Sequence, residues 1–127
     1  MIGITFIPKE LILYFHDRLI QDYGGAYGIR DEKLMDSAIE QPKATYGGRF
    51  LHDTLIKMAA AYGYHLCNNH PFIDGNKRIG ILAMLTFLEI NGIEIKCTGD
   101  ELINLGLGIA DGSINSKDLL GWIIDHS

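Results

Sequence analysis

The sequence predicts an all-α fold, a compact helical bundle built around one buried central helix. Three observations point there. Apolar positions recur every three or four residues in the segment that follows Pro8. The stretch Ile79–Leu88 is apolar on every face, the pattern of a helix surrounded by others. Only one short extended piece, Ile93 to Lys96, is evident, too little for a sizeable sheet. At 127 residues the chain reads as a single domain spanning 1–127. Its 47% apolar and 21% charged residues are enough to bury a core and argue against disorder.

Each element has its own signals. Pro8 suits the first turn of a helix through Leu19 and Ile20, and Gly24-Gly25 suits its stop. Asp31 is placed to cap a second helix through Leu34, Met35, Ala38 and Ile39, ended where Pro42 biases Gln41 out of helix. Tyr46-Gly47-Gly48 marks a flexible connection. Alanine, leucine and methionine favour a third helix from Leu51 to Asn69, with Asn68-Asn69 before Pro71 as its end.

The central helix follows the polar loop His70–Arg78, and Asn91-Gly92 closes it. Thr98 and Glu101 have capping-box spacing for a helix over Leu102 to Ile109, and Ser116 is the expected cap of a last helix through Leu119, Leu120, Trp122 and Ile123.

Charge and composition narrow the function. Eleven Lys and Arg against 16 Asp and Glu give a formal charge of −5, without the broad basic footprint of a nucleic-acid binder, so no direct nucleic-acid binding is expected and any anion site must be local. Ile79–Leu88 is about half the length of a membrane span, which argues against a membrane protein. Cys67 and Cys97 fit neither a disulfide framework nor a four-ligand zinc site, and a reducing cytoplasm is the simplest setting. Both cysteines read as packing residues.

The chemistry concentrates in His70-Pro71-Phe72-Ile73-Asp74-Gly75-Asn76-Lys77-Arg78, immediately before the central helix. A helix N-terminus carries unpaired N–H groups and partial positive charge, and Gly75 lets the loop bring such groups close to a phosphate oxygen. Arg78 offers a planar fork for two phosphate oxygens and Lys77 a mobile point charge. Asp74 suits Mg²⁺, a hard cation usually held by one or two carboxylates plus substrate phosphates. Asn76 could orient the same cluster. His70, with its near-neutral imidazole, could take the proton of an attacking hydroxyl. The arrangement suggests group transfer from a nucleotide.

HPFIDGNKR resembles the signature of the Fic/Doc superfamily: His, any residue, Phe, any residue, an acidic residue, a small residue, Asn, then Lys-Arg or Gly-Arg. Lys77 stands where Fic adenylyltransferases have glycine, and Ile81 where their motif usually continues to a second arginine, so the resemblance is to the Doc toxin branch. It extends over Pro8 to Gly25, Gly28 to Pro42, the motif, Phe87 to Gly92 and Ile109 to Ile123.

The resemblance implies a compact Fic/Doc helical bundle and a toxin kinase that moves the γ-phosphate of ATP to a threonine of elongation factor Tu, blocking translation. In that scheme His70 is the general base, Phe72 anchors the loop, Asp74 binds Mg²⁺, Lys77 and Arg78 hold ATP phosphates, and Gly75 gives close backbone approach. Asn76 positions phosphate or the loop. A lysine at 77 would crowd the space that glycine leaves for an α-phosphate while neutralising a terminal one. The resemblance further implies a Phd-like antitoxin whose C-terminal segment folds as a helix into a groove. Two rival readings are an AMP-transferring Fic-type enzyme and a non-catalytic antitoxin-binding module.

Other residues take humbler readings. His16 reads as a packed or surface histidine and is left outside the catalytic set. Tyr62 and His65 read as packing residues. Arg30-Asp31 and Arg49 could meet a phosphate, a protein substrate or solvent, and their roles stay open.

Overall fold

The computed structural model describes residues 3–127 and is all-α apart from one small hairpin. Six α-helices lie among the described residues: α1 (Lys9–Tyr23), α2 (Glu32–Glu40), α3 (Leu55–Asn69), α4 (Asn76–Ile90), α5 (Gly99–Asp111) and α6 (Ser116–His126). A 3₁₀ turn, Gln41–Lys43, follows α2, and β1 (Thr45–Tyr46) pairs antiparallel with β2 (Arg49–Phe50).

Several of the helices begin or end where local chemistry satisfies their terminal groups. Pro8 precedes α1, and Gly24 closes it with φ +86°. The Asp31 carboxylate accepts from the Leu34 N–H at the start of α2. Thr98 and Glu101 form the expected capping box on α5. The cap of α6 is Asn115, one residue before Ser116, and it makes a second capping box with Asp118. An amide is as good a cap as a hydroxyl, and the acidic partner three residues on decides the register.

Three further expectations are corrected. Gln41 keeps helical angles, because Pro42 sits at the start of a 3₁₀ turn, where its missing N–H costs nothing. Tyr46-Gly47-Gly48 is the tip of the hairpin, not a slack connection. Gly47 and Gly48 take φ +59° and +78°, the positive pair that a two-residue hairpin loop demands. Helix α3 therefore starts at Leu55, after the hairpin, with the Thr54 hydroxyl accepting from Lys57 N–H. Ile93 to Lys96, expected to be short of strand partners, pairs with none, and Lys96 N–H donates to the His126 carbonyl at the end of α6.

Helix α4 occupies the centre. Ile79, Gly80, Ile81, Ala83, Met84, Phe87 and Leu88 are buried, and α4 packs along α3 and against α1 and α5. The crossing with α3 is close enough to require glycine. A Cβ on Gly80 would lie 2.5 Å from Cys67 Sγ and 2.9 Å from the Gly63 carbonyl. One apolar cluster runs from Ile7 through Met35, Tyr62 and Phe87 to Ile123. The catalytic-looking loop thus hangs between the two most tightly packed helices, with its ends fixed by both.

Candidate active site

The loop 70–75 is built to hold an unusual backbone path. His70 ends α3 at φ +49° and ψ +52°, the only described non-glycine residue with positive φ. Pro71 disfavours a right-handed helical path for His70 and so helps to stop α3 there. A left-handed residue costs on the order of 1–2 kcal/mol unless its surroundings hold it. Arg30 does so: its Nε donates to the His70 carbonyl at 2.6 Å and its Nη2 to the Asn69 carbonyl at 3.0 Å. The backbone N–H groups of Arg30 and Asp31 both donate to the Pro71 carbonyl, and Ile73 N–H donates to the Gly28 carbonyl. Arg30 therefore caps α3 and braces the loop, a role the sequence left open, and Asp31 caps α2 as its position suggested.

Asn76 settles likewise. Its Oδ1 accepts from Phe72 N–H at 2.9 Å and its Nδ2 donates to the Phe72 carbonyl at 3.0 Å. Each end of the amide holds a backbone group of Phe72, so Asn76 shapes the loop. Phe72 is buried, with its ring stacked on His16 at 3.7 Å between centroids and 7° between planes. His16 Nε2 lies 2.6 Å from the Asp74 carbonyl. A carbonyl only accepts, so that nitrogen carries the proton. No local pattern distinguishes His16 from any other helix histidine, because its partner is 58 residues away.

Asp74 sits exposed at the mouth of α4. One carboxylate oxygen accepts from Gly75 N–H at 2.9 Å and the other from Ala26 N–H at 3.2 Å. Gly25 lies directly behind: a Cβ there would come within 2.5 Å of Asp74 Oδ2, and its φ is +116°. Gly75, at φ +79°, leads into α4 without a side-chain cap, which leaves the first N–H groups of the helix available to an anion. Lys77 and Arg78 are exposed on the first turn. Arg78 donates weakly to the Gly24 carbonyl at 3.4 Å and lies 5.5 Å above the Tyr23 ring.

The donor set fits Mg²⁺ in a particular way. Among the described residues no three His, Cys, Asp or Glu side chains converge, so the protein offers no complete cage of such ligands. One exposed carboxylate beside a cationic helix start matches an ion that arrives with phosphates and keeps its waters. A divalent ion between a phosphate and the Asp74 carboxylate would offset the repulsion the two would otherwise have at one helix end.

A groove of about 560 Å³ runs from this end between α1, α4 and α5. Lys77, Arg78 and Tyr23 stand at it, and Leu19, Ile81, Leu102 and Leu107 make it apolar. Tyr62 is wholly buried, and its hydroxyl accepts from Ile7 N–H. His65 lines a separate cavity of about 260 Å³ with His52, Lys57 and Lys117, and its burial lowers its pKa. Arg49 is exposed in β2. Burial pushes the Cys67 thiol up to about 12, which makes it an inert packing residue.

Comparison with known proteins agrees with the loop and its setting. The model of the Fic/DOC family matches residues 6–88. The chain is similar to "Toxin Doc" of Mycolicibacterium smegmatis, 40% identical over 78 residues, or 61% of this chain and 60% of that one. It is also similar to "Protein kinase doc" of Escherichia phage P1, 33% identical over 108 residues, or 85% of this chain and 83% of that one. An all-helical core, a motif loop clasped by the segment before α2, and these matches together show that the chain belongs to the Fic/DOC family.

Proposed function

We propose that this chain is a Doc-type toxin kinase that transfers the γ-phosphate of ATP to a threonine hydroxyl of elongation factor Tu, and so blocks translation in the cytoplasm. The observation that carries the reading is the start of α4, where an uncapped helix end, the Lys77 and Arg78 cations and the Asp74 carboxylate share one turn. Phosphoryl transfer needs little covalent help from a protein. It needs charge placed where the equatorial oxygens are, and a nucleophile held in line. The similarity to a phage protein named a protein kinase supports the choice of reaction.

In this reading the N–H groups of the first turn and the Lys77 and Arg78 side chains bind ATP phosphates. Asp74 holds Mg²⁺, which neutralises phosphate charge when bound. His70 accepts the proton of the threonine hydroxyl as its oxygen bonds to the γ-phosphorus and ADP leaves. Gly75 keeps the backbone open to a phosphate oxygen, and Asn76 keeps the loop in shape through Phe72. A Phd-like antitoxin restrains the enzyme by laying a helix into the apolar groove beside Lys77 and Arg78.

The position of a label tests the reaction. With elongation factor Tu and Mg²⁺, ATP labelled in the γ-phosphate marks the factor and ATP labelled in the α-phosphate does not. His70→Ala lowers transfer by roughly 10²–10⁴-fold while sparing ATP binding, since a base acts in the transition state. Arg78→Ala weakens ATP binding as well. Transfer of the α-label would assign AMP transfer instead, and undiminished transfer by His70→Ala would remove the base from its role.

A further inference from the structure

We infer that His16 is a positioning residue of the active site: from the core, it sets the backbone on which the Asp74 carboxylate meets the metal ion. The inference rests on the reading that Asp74 holds Mg²⁺ together with nucleotide phosphates.

His16 is the one buried side chain with a titratable group other than Tyr62 and Cys67 in the described core, at 1% exposure. It lies in the middle of α1, far from the chemistry in sequence. Yet it touches the motif loop twice. Its ring lies flat on Phe72, and its Nε2–H donates to the carbonyl of Asp74. A methyl group on Gly75 would stand 3.4 Å from that same nitrogen, so the imidazole lies directly under the Asp74–Gly75 peptide.

The geometry makes the consequence specific. Asp74 is exposed, and its carboxylate is oriented by two backbone N–H groups, from Gly75 and from Ala26. Gly75 N belongs to the very peptide whose carbonyl His16 holds. Fixing that carbonyl fixes the plane of the peptide, the direction of Gly75 N–H and with it one anchor of the carboxylate. The other loop end has different anchors, Arg30 at His70 and Asn76 at Phe72. Loss of the His16 donor therefore frees the metal ligand and leaves the base end held.

Three variants separate this role from packing. His16→Gln places an amide N–H where Nε2 was and keeps the donor. His16→Phe keeps the ring over Phe72 and loses the donor. His16→Asn keeps a polar group but is too short to reach the carbonyl, and serves if the phenylalanine variant does not fold. The probe is Mn²⁺ with ATP, titrated by electron paramagnetic resonance, alongside thermal unfolding.

His16→Gln should bind Mn²⁺–ATP like the parent, whereas His16→Phe and His16→Asn should bind about tenfold more weakly, as loss of a partner behind a metal ligand usually does. Binding of ATP without metal should change little. Equal Mn²⁺–ATP affinity in all three folded variants, whatever their melting temperatures, would overturn the inference and leave the kinase reading intact. Absence of Mn²⁺–ATP binding by the parent protein would overturn both.

Discussion

Asn76 shows what one side chain can contribute when its amide holds both backbone groups of one residue. Asn76→Ala leaves the Phe72 N–H and carbonyl to find other partners in a half-buried loop, so stability should fall by about 1–3 kcal/mol in urea unfolding. An unchanged unfolding midpoint would mean that water replaces the amide freely. From the sequence, Asn76 could serve the phosphate or the loop, since composition cannot say which partner an amide will face. Asp31 and Thr98 were easier: their partners lie three residues away, within reach of a pattern. His16 and Arg30 were beyond it, because each acts on backbone about 40 to 60 residues along the chain. Gly25 belongs with them. Gly25→Ala meets Asp74 at a φ of +116°, so it should both strain the turn and displace the carboxylate, and Mn²⁺–ATP titration of the variant should show weakened binding.

At the scale of elements, the α3–α4 crossing sets the geometry of the loop between them. Gly80→Ala drives a methyl group into Cys67 Sγ and the Gly63 carbonyl, which forces the helices apart. Overpacking of this kind should cost roughly 1–3 kcal/mol and lower the melting temperature; a melting temperature equal to the parent's would contradict the close crossing. The apolar run Ile79–Leu88 announced a central helix because most of it is buried and the side that lines the groove, Leu82 and Leu85, is apolar too. The same sequence hid the hairpin at residues 45–50, whose two-residue strands are too short to show a period of two. Helix α3 consequently looked four residues longer at its start than it is.

At the scale of the whole molecule, the C-terminal helix is tied to the groove-lining helix by His126. Its Nδ1 faces the Trp122 carbonyl and its Nε2 the Glu101 carboxylate, each at 2.7 Å, and the ring stacks on Trp122. Two acceptors require two protons, so both bonds form only when the ring is an imidazolium. The Trp122 carbonyl and the Glu101 carboxylate raise the pKa of His126 above its ordinary 6.5, with Asp125 adding to the effect. Its contribution to stability is therefore full below about pH 6.5 and is lost as pH rises through the raised value. Glu101, held below 4.5 by the Thr98 N–H and by His126, contributes above its ordinary pKa and loses that contribution as pH falls through the lowered one. The melting temperature should decline from mildly acidic to mildly alkaline pH, and His126→Gln should flatten that decline. A slope unchanged in the variant would place its origin elsewhere.

The proposed phosphoryl transfer is tested most directly by one mass spectrum. Purified protein is incubated with elongation factor Tu, Mg²⁺ and ATP, and the intact mass of the factor is read, with His70→Ala as control. A gain of about 80 Da, one phosphoryl group, that His70→Ala fails to produce is the result predicted. A gain of about 329 Da, the mass of an AMP group, or no gain at all, would contradict it.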